Sequence, residues 1–308
     1  MIRLMRFFRT LAIVVTSAFL ALACGKEKNV YPELTPGFGV DEIYGSNPSH
    51  GKFKLMSFNV RYQNSSDNSS GHGWDKRREG VYAMLKVEKP LLMGVQECLA
   101  GQRSDILKNV PEYNAIGVGR DDGKEAGEIM AIFYLKDSVS IEKWGTFWLS
   151  ASPDKVSKGW DAACYRTCTW AHVRLKRSGK EFMYFNTHLD HQGPVARRES
   201  VKLIVDKIKT LNTNYLPCVL TADFNSSEDD AIFDVLRLQM KSARKTAPVT
   251  DSYATYNAFQ NSAGSGSVID HIFYSGSLTP SEYKTVRSKW KNIDFISDHY
   301  PIYAVFAF

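Results

Sequence analysis

The stretch "VLTADFN" (Val219–Asn225) begins as an apolar strand and ends with a carboxylate and an amide at alternate positions. Strand side chains alternate between faces. Asp223 and Asn225 are therefore expected on one face, roughly 7 Å apart, with Phe224 turned into the core. Two polar groups closing an apolar strand point to something beyond the sheet edge.

The same design recurs along the chain. Apolar strand segments are read at "FKLMSFNV" (53–60), "PLLMGVQE" (90–97), "GEIMAIFYLK" (127–136), "TCTWAHVRLK" (167–176), "EFMYFNTHL" (181–189), "SVIDHIFYSG" (267–276) and "PIYAVFAF" (301–308). Helical segments are read at "WDKRREGVYAMLKVEK" (74–89), at 194–211, where Pro194 suits a first turn, and around 228–238. So many strands, with helices between only some of them, predict an α/β fold of two packed mixed β-sheets flanked by helices, a four-layer sandwich.

Polar residues gather where these strands stop. Asn59 closes "MSFN", Glu97 closes "GVQE", and "FNTHLDH" places His188 and Asp190 on one face. "VIDHIF" adds Asp270, and "ISDHYP" adds Asp298 and His299. Any one of these has an ordinary explanation as a turn cap. Six segments in one chain match a site built at the rim of a sheet. His191 and His271 are read as satisfied structural histidines.

Composition sets the frame. The 308 residues, 44% hydrophobic and 12% aromatic, are ample for a packed core. Residues 1–23 carry Arg3, Arg6 and Arg9, then the apolar run "LAIVVTSAFLALA" and Cys24, the pattern of an exported lipoprotein's signal segment. Cys24 is then the lipidated residue, and residues 24–52, with Pro32, Pro36 and Pro48, read as a tether. The folded domain is placed at 53–308. Removing three arginines from a net charge of +6 leaves +3 on the mature chain, with no basic block. That balance argues against a protein held to nucleic acid by charge, and no stable nucleic-acid complex is expected. Cys98, Cys164, Cys168 and Cys218 allow up to two disulfides in an oxidising compartment, or four buried thiols.

Taken in order, "SFNV", "VQE", "NTHLD", "ADFN", "IDHIF" and "SDHYP" resemble the motifs of the endonuclease/exonuclease/phosphatase superfamily, with the fold shared by deoxyribonuclease I. Ala222 stands where the fourth motif more often has glycine, which removes no chemical group. The resemblance implies a hydrolase of phosphate mono- or diesters. Glu97 and Asn59, with Asp298, would hold Mg2+ or Mn2+ through hard oxygen donors. Asp223 would deprotonate the attacking water, Asn225 would fix the water or the phosphate, and His188 would bond a phosphate oxygen. His299, oriented by Asp270, would bind the phosphate and stabilise its developing charge. Arg166, in "AACYRTCTW", is a second cationic phosphate ligand or a structural arginine.

Zinc is disfavoured, because His188 and His191 are three apart and would face opposite sides of a strand. The loops "GVGRDDGKEAGE" (117–128) and 145–166 are left to set the substrate; Trp148 reads as core, and Trp160 as free to stack. The expected partners are a small or carbohydrate-linked phosphate ester and a membrane, reached through the lipid anchor; the chain is expected to be a monomer. A secreted nuclease, a sphingomyelinase-like lipid phosphodiesterase and an inactive binding lipoprotein are the alternatives.

Overall fold

A computed structural model describes residues 51–260 and 266–308. The signal segment 1–23, Cys24 and most of the tether lie outside the described residues.

The first described strand, β1 (Phe53–Asn59), leads through a short helix, α1 (Ser65–Ser69), to α2 (Trp74–Glu88). Lys89 ends α2 in the left-handed region (φ 41°), and Pro90 prevents continuation. The chain continues as β2 (Leu92–Cys98), α3 (Ala100–Asn109), β3 (Tyr113–Ile116), β4 (Ile129–Leu135), β5 (Val139–Trp148), β6 (Thr167–Leu175) and β7 (Glu181–His188). After them come α4 (Pro194–Leu211), β8 (Cys218–Asp223), a 3-10 turn at Ala231–Phe233, α5 (Asp234–Arg237), β9 (Lys241–Ser242) and α6 (Ala243–Thr246). Three strands finish the fold: β10 (Asp270–Ser275), β11 (Thr279–Thr285) and β12 (Ile302–Ala307).

Two six-stranded mixed sheets result, ordered β11-β12-β1-β2-β4-β3 and β5-β6-β7-β8-β10-β9. Phe53, Leu92, Phe182, Val219 and Phe306 belong to the core between them. A second core, with Met56, Val95 and Phe133, packs the first sheet against Val81 and Leu85 of α2 and Ile106 of α3; a third packs the second sheet against Val201, Ile204 and Val205 of α4. The layers therefore run helix, sheet, sheet, helix, as the strand-rich pattern predicted.

The sheets meet through a polar seam as well as an apolar one. Tyr184 Oη accepts the Gly94 N–H at 2.9 Å and donates to Met56 O at 3.0 Å, while Asn186 Nδ2 donates to Val95 O and Ala131 O at 2.9 and 3.0 Å. A Cβ on Gly94 would collide with Thr221 and Asn186, so glycine here is what lets the sheets approach.

Parallel pairing of β1 with β2 and of β7 with β8 gives each pair a common direction. Asn59 with Glu97, and His188 with Asp223, accordingly finish at shared strand ends. Antiparallel β10 opens there, with Asp270 opposite Asp223. Phe53, where the described chain enters the sheet, lies at the other end of β1.

Two details differ from the sequence reading, and the choice it left open between disulfides and thiols is decided for the thiols. Strand β8 stops at Asp223, and Asn225 is left-handed (φ 49°), so Asp223 and Asn225 come together through a turn and not through strand alternation. Helix α3 and strands β3, β5 and β11 arise in stretches without clear periodicity. Cys98, Cys164, Cys168 and Cys218 are free, and no disulfide joins the described residues. Among the described residues no helix is long and apolar enough to cross a membrane.

Candidate active site

A cleft of about 500 Å³ opens at the strand ends, and its lining includes Glu97, Arg166, His188, Asp223, Asn225, Asp298 and His299. Asn59 and Asp270 stand directly behind these groups. The structure thus brings the candidates from all six motifs to one place. Cys24 lies outside the described residues and is not placed.

Asp223 is at the centre, 1% exposed. Its Oδ2 accepts from Asn59 Nδ2 at 2.9 Å, and its Oδ1 accepts the Asn225 N–H at 2.9 Å. His188 Nε2 and His299 Nε2 stand 3.4 and 3.7 Å from Oδ2. Burial, and then the charge of Asp270, pushes the Asp223 carboxyl up to about 7. A carboxyl so placed is poised to exchange a proton near neutrality.

The two histidines are driven in opposite directions. His299 Nδ1 lies 2.8 Å from Asp270 Oδ2. Burial opposes its charge, but Asp270 and Asp223 outweigh burial and hold the imidazolium well above its ordinary pKa. His188 is held well below its ordinary value by burial, then by Arg166 and His299. Asn225 Nδ2 lies 3.0 Å from His188 Nε2 and also donates to Leu189 O. The other ring nitrogen, Nδ1, is buried with no hydrogen-bond partner among the described residues and lies 4.0 Å from Glu128 Oε2.

Arg166 is also buried. Its Nε lies 3.3 Å from Asp190 Oδ2 and its Nη2 3.0 Å from His191 Nδ1, while Nη1 has no partner. Asp190, expected beside His188 on one strand face, belongs behind Arg166, because β7 ends at His188. Burial opposes ionisation of Asp190, but the N–H groups of Gly193, Ala163 and Gln192 hold it well below the usual carboxylate range. His191 is not a core histidine: it is exposed at the cleft margin. His188 and His191 both border the cleft, yet no ligand cluster among the described residues contains the two. His271 is a satisfied core group, with Nε2 2.9 Å from Ser226 O.

Two clusters of side chains could hold a metal by proximity: Asp223 with Asp270 and His299, and Cys164 with Asp190 and His191. The first contains a protonated imidazole, and the guanidinium of Arg166 bridges Asp190 and His191 in the second. Neither suits a cation. The hard oxygens of Glu97 and Asp298 suit one better. Glu97 Oε1 accepts from Asn59 Nδ2 at 3.0 Å; burial raises the Asp298 pKa, the charge of His299 opposes that rise, and the neighbouring charge of Glu97 adds to it, so the two carboxylates share what counter-charge surrounds them. Arg61 Nη1, 3.4 Å from Asp298 Oδ2, supplies part of it. This acidic margin fits a divalent cation.

Glu97 (φ 60°), Arg61 (φ 56°) and Asn225 (φ 49°) are all left-handed, and all line the cleft. At Glu97 this coincides with a register shift between Val95 and Cys98, a bulge that turns the carboxylate out of the sheet.

Sequence reasoning did not select Arg61, Tyr62, Arg120, Glu128 or Tyr256 as site residues. Glu128 is 9% exposed; burial, then the charge of Glu97, pushes its carboxyl up to about 7. It precedes β4 in "GEIMAIFYLK", so a search for polar residues at strand beginnings, and not only at strand ends, finds it. Trp148 is buried core (7% exposed), and Trp160 is 41% exposed.

The endonuclease/exonuclease/phosphatase family model matches residues 56–299. A mannosyl-6-phosphatase of Bacteroides thetaiotaomicron is similar in structure (TM-score 0.78) and 37% identical, covering 83% of this chain and all of its own. An endonuclease/exonuclease/phosphatase protein of Bacteroides vulgatus aligns with the same TM-score and identity over 83% of this chain and 98% of its own. The human nocturnin catalytic domain, 16% identical with a TM-score of 0.65 over 83% of this chain and 93% of its own, shares the fold. An uncharacterized mimivirus protein, L388, is 24% identical over 82% of this chain and 99% of its own. Six ordered motifs converging on one cleft, within a match that spans the sandwich, make this chain a member of the endonuclease/exonuclease/phosphatase family of phosphate-ester hydrolases.

Proposed function

We propose that this protein is a divalent-metal-dependent phosphoesterase that hydrolyses small or carbohydrate-linked phosphate esters. The observation that carries the reading is the buried Asp223 carboxyl, flanked by Asn59, Asn225, His188 and His299 at the floor of the cleft. In the reaction, Asp223 takes a proton from a water as that water attacks phosphorus; the bond from phosphorus to the ester oxygen breaks, and that oxygen takes a proton from solvent to leave as the alcohol. His188, the Arg166 guanidinium and the His299 imidazolium bind the nonbridging oxygens and stabilise the charge that grows on them. Asp270 keeps His299 charged, and Asp190 aims Arg166. Glu97, Asn59 and Asp298 would hold Mg2+ or Mn2+, which supplies charge neutralisation to the phosphate.

A small substrate is favoured by the pairing of cations around the cleft. Arg61 meets Asp67 and Asp298, Arg103 meets Glu125, Arg120 meets Glu128, and Arg166 meets Asp190. Each arginine that lines the cleft, Arg61, Arg120 and Arg166, thus has an acidic partner, whereas a long polyanion is held by unpaired cations. The mannosyl-6-phosphatase relative supports a phosphorylated sugar. Export and lipidation at Cys24 are part of this reading, supported by the sequence of residues 1–24.

The test is a substrate panel with Mg2+ or Mn2+: hexose phosphates, an aryl phosphate, a bis-aryl phosphate, sphingomyelin and DNA across a salt series. Efficient turnover of the small monoesters is expected. DNA cleavage that collapses steeply with salt, beside poor turnover of small esters, would instead make the protein a nuclease.

A further inference from the structure

The loop between β5 and β6 carries aromatic surface that the mechanism above does not use. Trp160 is 41% exposed and Tyr165 is 37% exposed. Tyr165 stands between Cys164 and Arg166, both of which line the cleft, and His191, which meets Arg166, is an exposed ring on the same lining. The loop is stitched to the start of α4. Asp190 accepts the Ala163 and Cys164 N–H groups at 3.1 and 3.2 Å, and Asp161 accepts those of Val195 and Ala196 at 3.2 and 2.7 Å. Trp160, Tyr165 and His191 therefore belong to one margin of the cleft, and the carboxylate that aims Arg166 helps to hold it.

Three observations give this margin a role. First, Trp160 is presented at a conformational cost. The Ala162 N–H donates to Gly159 O at 3.0 Å, closing a tight turn with Trp160 and Asp161 at its centre, and Trp160 is left-handed (φ 47°). That position suits glycine or asparagine, and a bulky residue there is strained. A Cβ on Gly159 would collide with Leu149 O, so close backbone packing fixes where the turn stands. Second, the margin offers an open donor. Arg166 Nη2 lies 3.0 Å from His191 Nδ1, and a guanidinium only donates, so Nδ1 accepts and the proton of this exposed ring is on Nε2. Third, the charged groups that join loop and helix are already satisfied: Arg166 is paired with Asp190, and Asp161 holds N–H groups of α4. Aromatic faces beside a neutral N–H suit a hydroxylated ring, whose C–H face stacks and whose hydroxyls accept, whereas a second anion calls for a free cation.

We propose that Trp160, Tyr165 and His191 form a sugar subsite at the margin of the cleft, where the indole stacks on a pyranose ring and His191 Nε2 donates to one of its hydroxyls, while the phosphate ester is held at the cleft floor. This rests on the phosphoesterase reading and deepens it. The preferred substrate is a phosphorylated sugar that carries a further sugar, a glycan end and not a free hexose phosphate. The free hexose phosphate fills the floor and leaves the rings bare.

The experiment compares the wild-type chain with Trp160→Gly, Trp160→Phe and Tyr165→Ala. Glycine suits the left-handed turn, so Trp160→Gly removes the ring without adding strain, and thermal melts check that it folds. The readout is the ratio of kcat/KM for a 6-phosphorylated hexose disaccharide to that for the free hexose 6-phosphate. A fall in this ratio of about 10- to 30-fold is expected in Trp160→Gly, carried mainly by KM, and about 3- to 10-fold in Tyr165→Ala, while Trp160→Phe keeps most of it because a ring remains to stack. Calorimetric titration of the phosphorylated disaccharide in chelator measures the subsite without turnover, and its affinity should fall in parallel. An unchanged ratio in folded Trp160→Gly overturns the subsite, as does equal disaccharide affinity in wild type and that variant. Lost binding to phosphatidylcholine vesicles with unchanged disaccharide affinity also overturns it and makes the rings a lipid contact. Failure of the phosphoesterase reading looks different: wild type then turns over neither ester, while the titration still decides whether the margin binds sugar.

Discussion

Replacement of Asp223 by asparagine should separate stability from turnover. The carboxylate accepts one hydrogen bond on each oxygen, from Asn59 Nδ2 and from the Asn225 N–H. An asparagine oxygen keeps one of these, and its NH2 then faces the other donor, at a cost of about 1–3 kcal/mol. Against this stands the cost of ionising a buried carboxyl. With its pKa raised from 3.8 to about 7, the folded state at pH 7 loses on the order of 4 kcal/mol relative to the unfolded chain, which the amide avoids. The balance favours the variant slightly. Its melting temperature in chelator at pH 7 should equal or exceed that of the wild type by several degrees, at about 2–4 °C per kcal/mol for a domain of this size. Turnover should nevertheless fall by about 100- to 10,000-fold, because an amide accepts no proton. Thermal melts and aryl phosphate hydrolysis on the same preparations check both halves. Near wild-type turnover from folded protein refutes the base assignment, and a melting temperature lowered by more than about 5 °C refutes the energetic argument.

Further outcomes follow from the same geometry. Because the folded pKa of Asp223 and Glu128 is raised, their contribution to stability is complete below about 4 and is lost as pH rises through about 7; melts in chelator should show this decline, and Asp223→Asn should flatten it. In activity the sign reverses: kcat/KM should rise through about 7 as the base ionises, with the limb moving to lower pH as the divalent cation is increased. Chelation should abolish turnover, Mg2+ or Mn2+ should restore it, and Glu97→Gln should raise the cation concentration required, measured as activity against free metal. Asp190→Asn removes the buried partner of Arg166 and should lower stability by about 3–5 kcal/mol in chemical denaturation, and it should raise KM for small esters. Cys24→Ser should release the protein from the membrane fraction without changing kcat, with mass spectrometry of the N terminus as the direct check.

The parts of the site that follow strand periodicity were legible in the sequence. Asn59, Glu97, His188, Asp223 and Asp270 stand at the ends or beginnings of apolar strands, where alternation and the end of pairing are both local properties. Where the same rule was carried one step past the strand, it misplaced side chains. Asp190 was expected beside His188, but pairing stops at His188 and the chain turns, sending Asp190 to the backbone N–H groups of Ala163 and Cys164. Arg61 and Arg120 lie in loops whose polar residues carry no period. Their partners, Asp298 and Glu128, become neighbours of the other motifs only when the two sheets pack. The left-handed turn at Asn225 was likewise hidden, since asparagine serves both as a strand end and as a left-handed residue.

Three left-handed residues in one cleft put a demand on the rest of the fold, as each non-glycine residue in that region costs about 1–3 kcal/mol. The supports are identifiable. Arg77, 1% exposed, donates to the carbonyls of His72, Val60, Ile296 and Arg61, so the backbone that presents Arg61 is fixed from below. Burial lowers the pKa of this guanidinium only to about 10, and it remains charged at neutral pH. Asn225 is held on both sides: its N–H bonds Asp223 and its amide bonds Leu189 O. At Glu97 the carboxylate itself receives the Tyr62 N–H at 3.2 Å and the Asn59 amide. At Asn225 and Glu97 the contacts that hold a strained backbone are made by the functional side chain or by its neighbour in the mechanism. Asp223→Asn keeps an oxygen for the Asn225 N–H, so the strained turn stays held, whereas Asp190→Asn leaves Arg166 without its buried charge partner; the first change should therefore cost the fold less than the second.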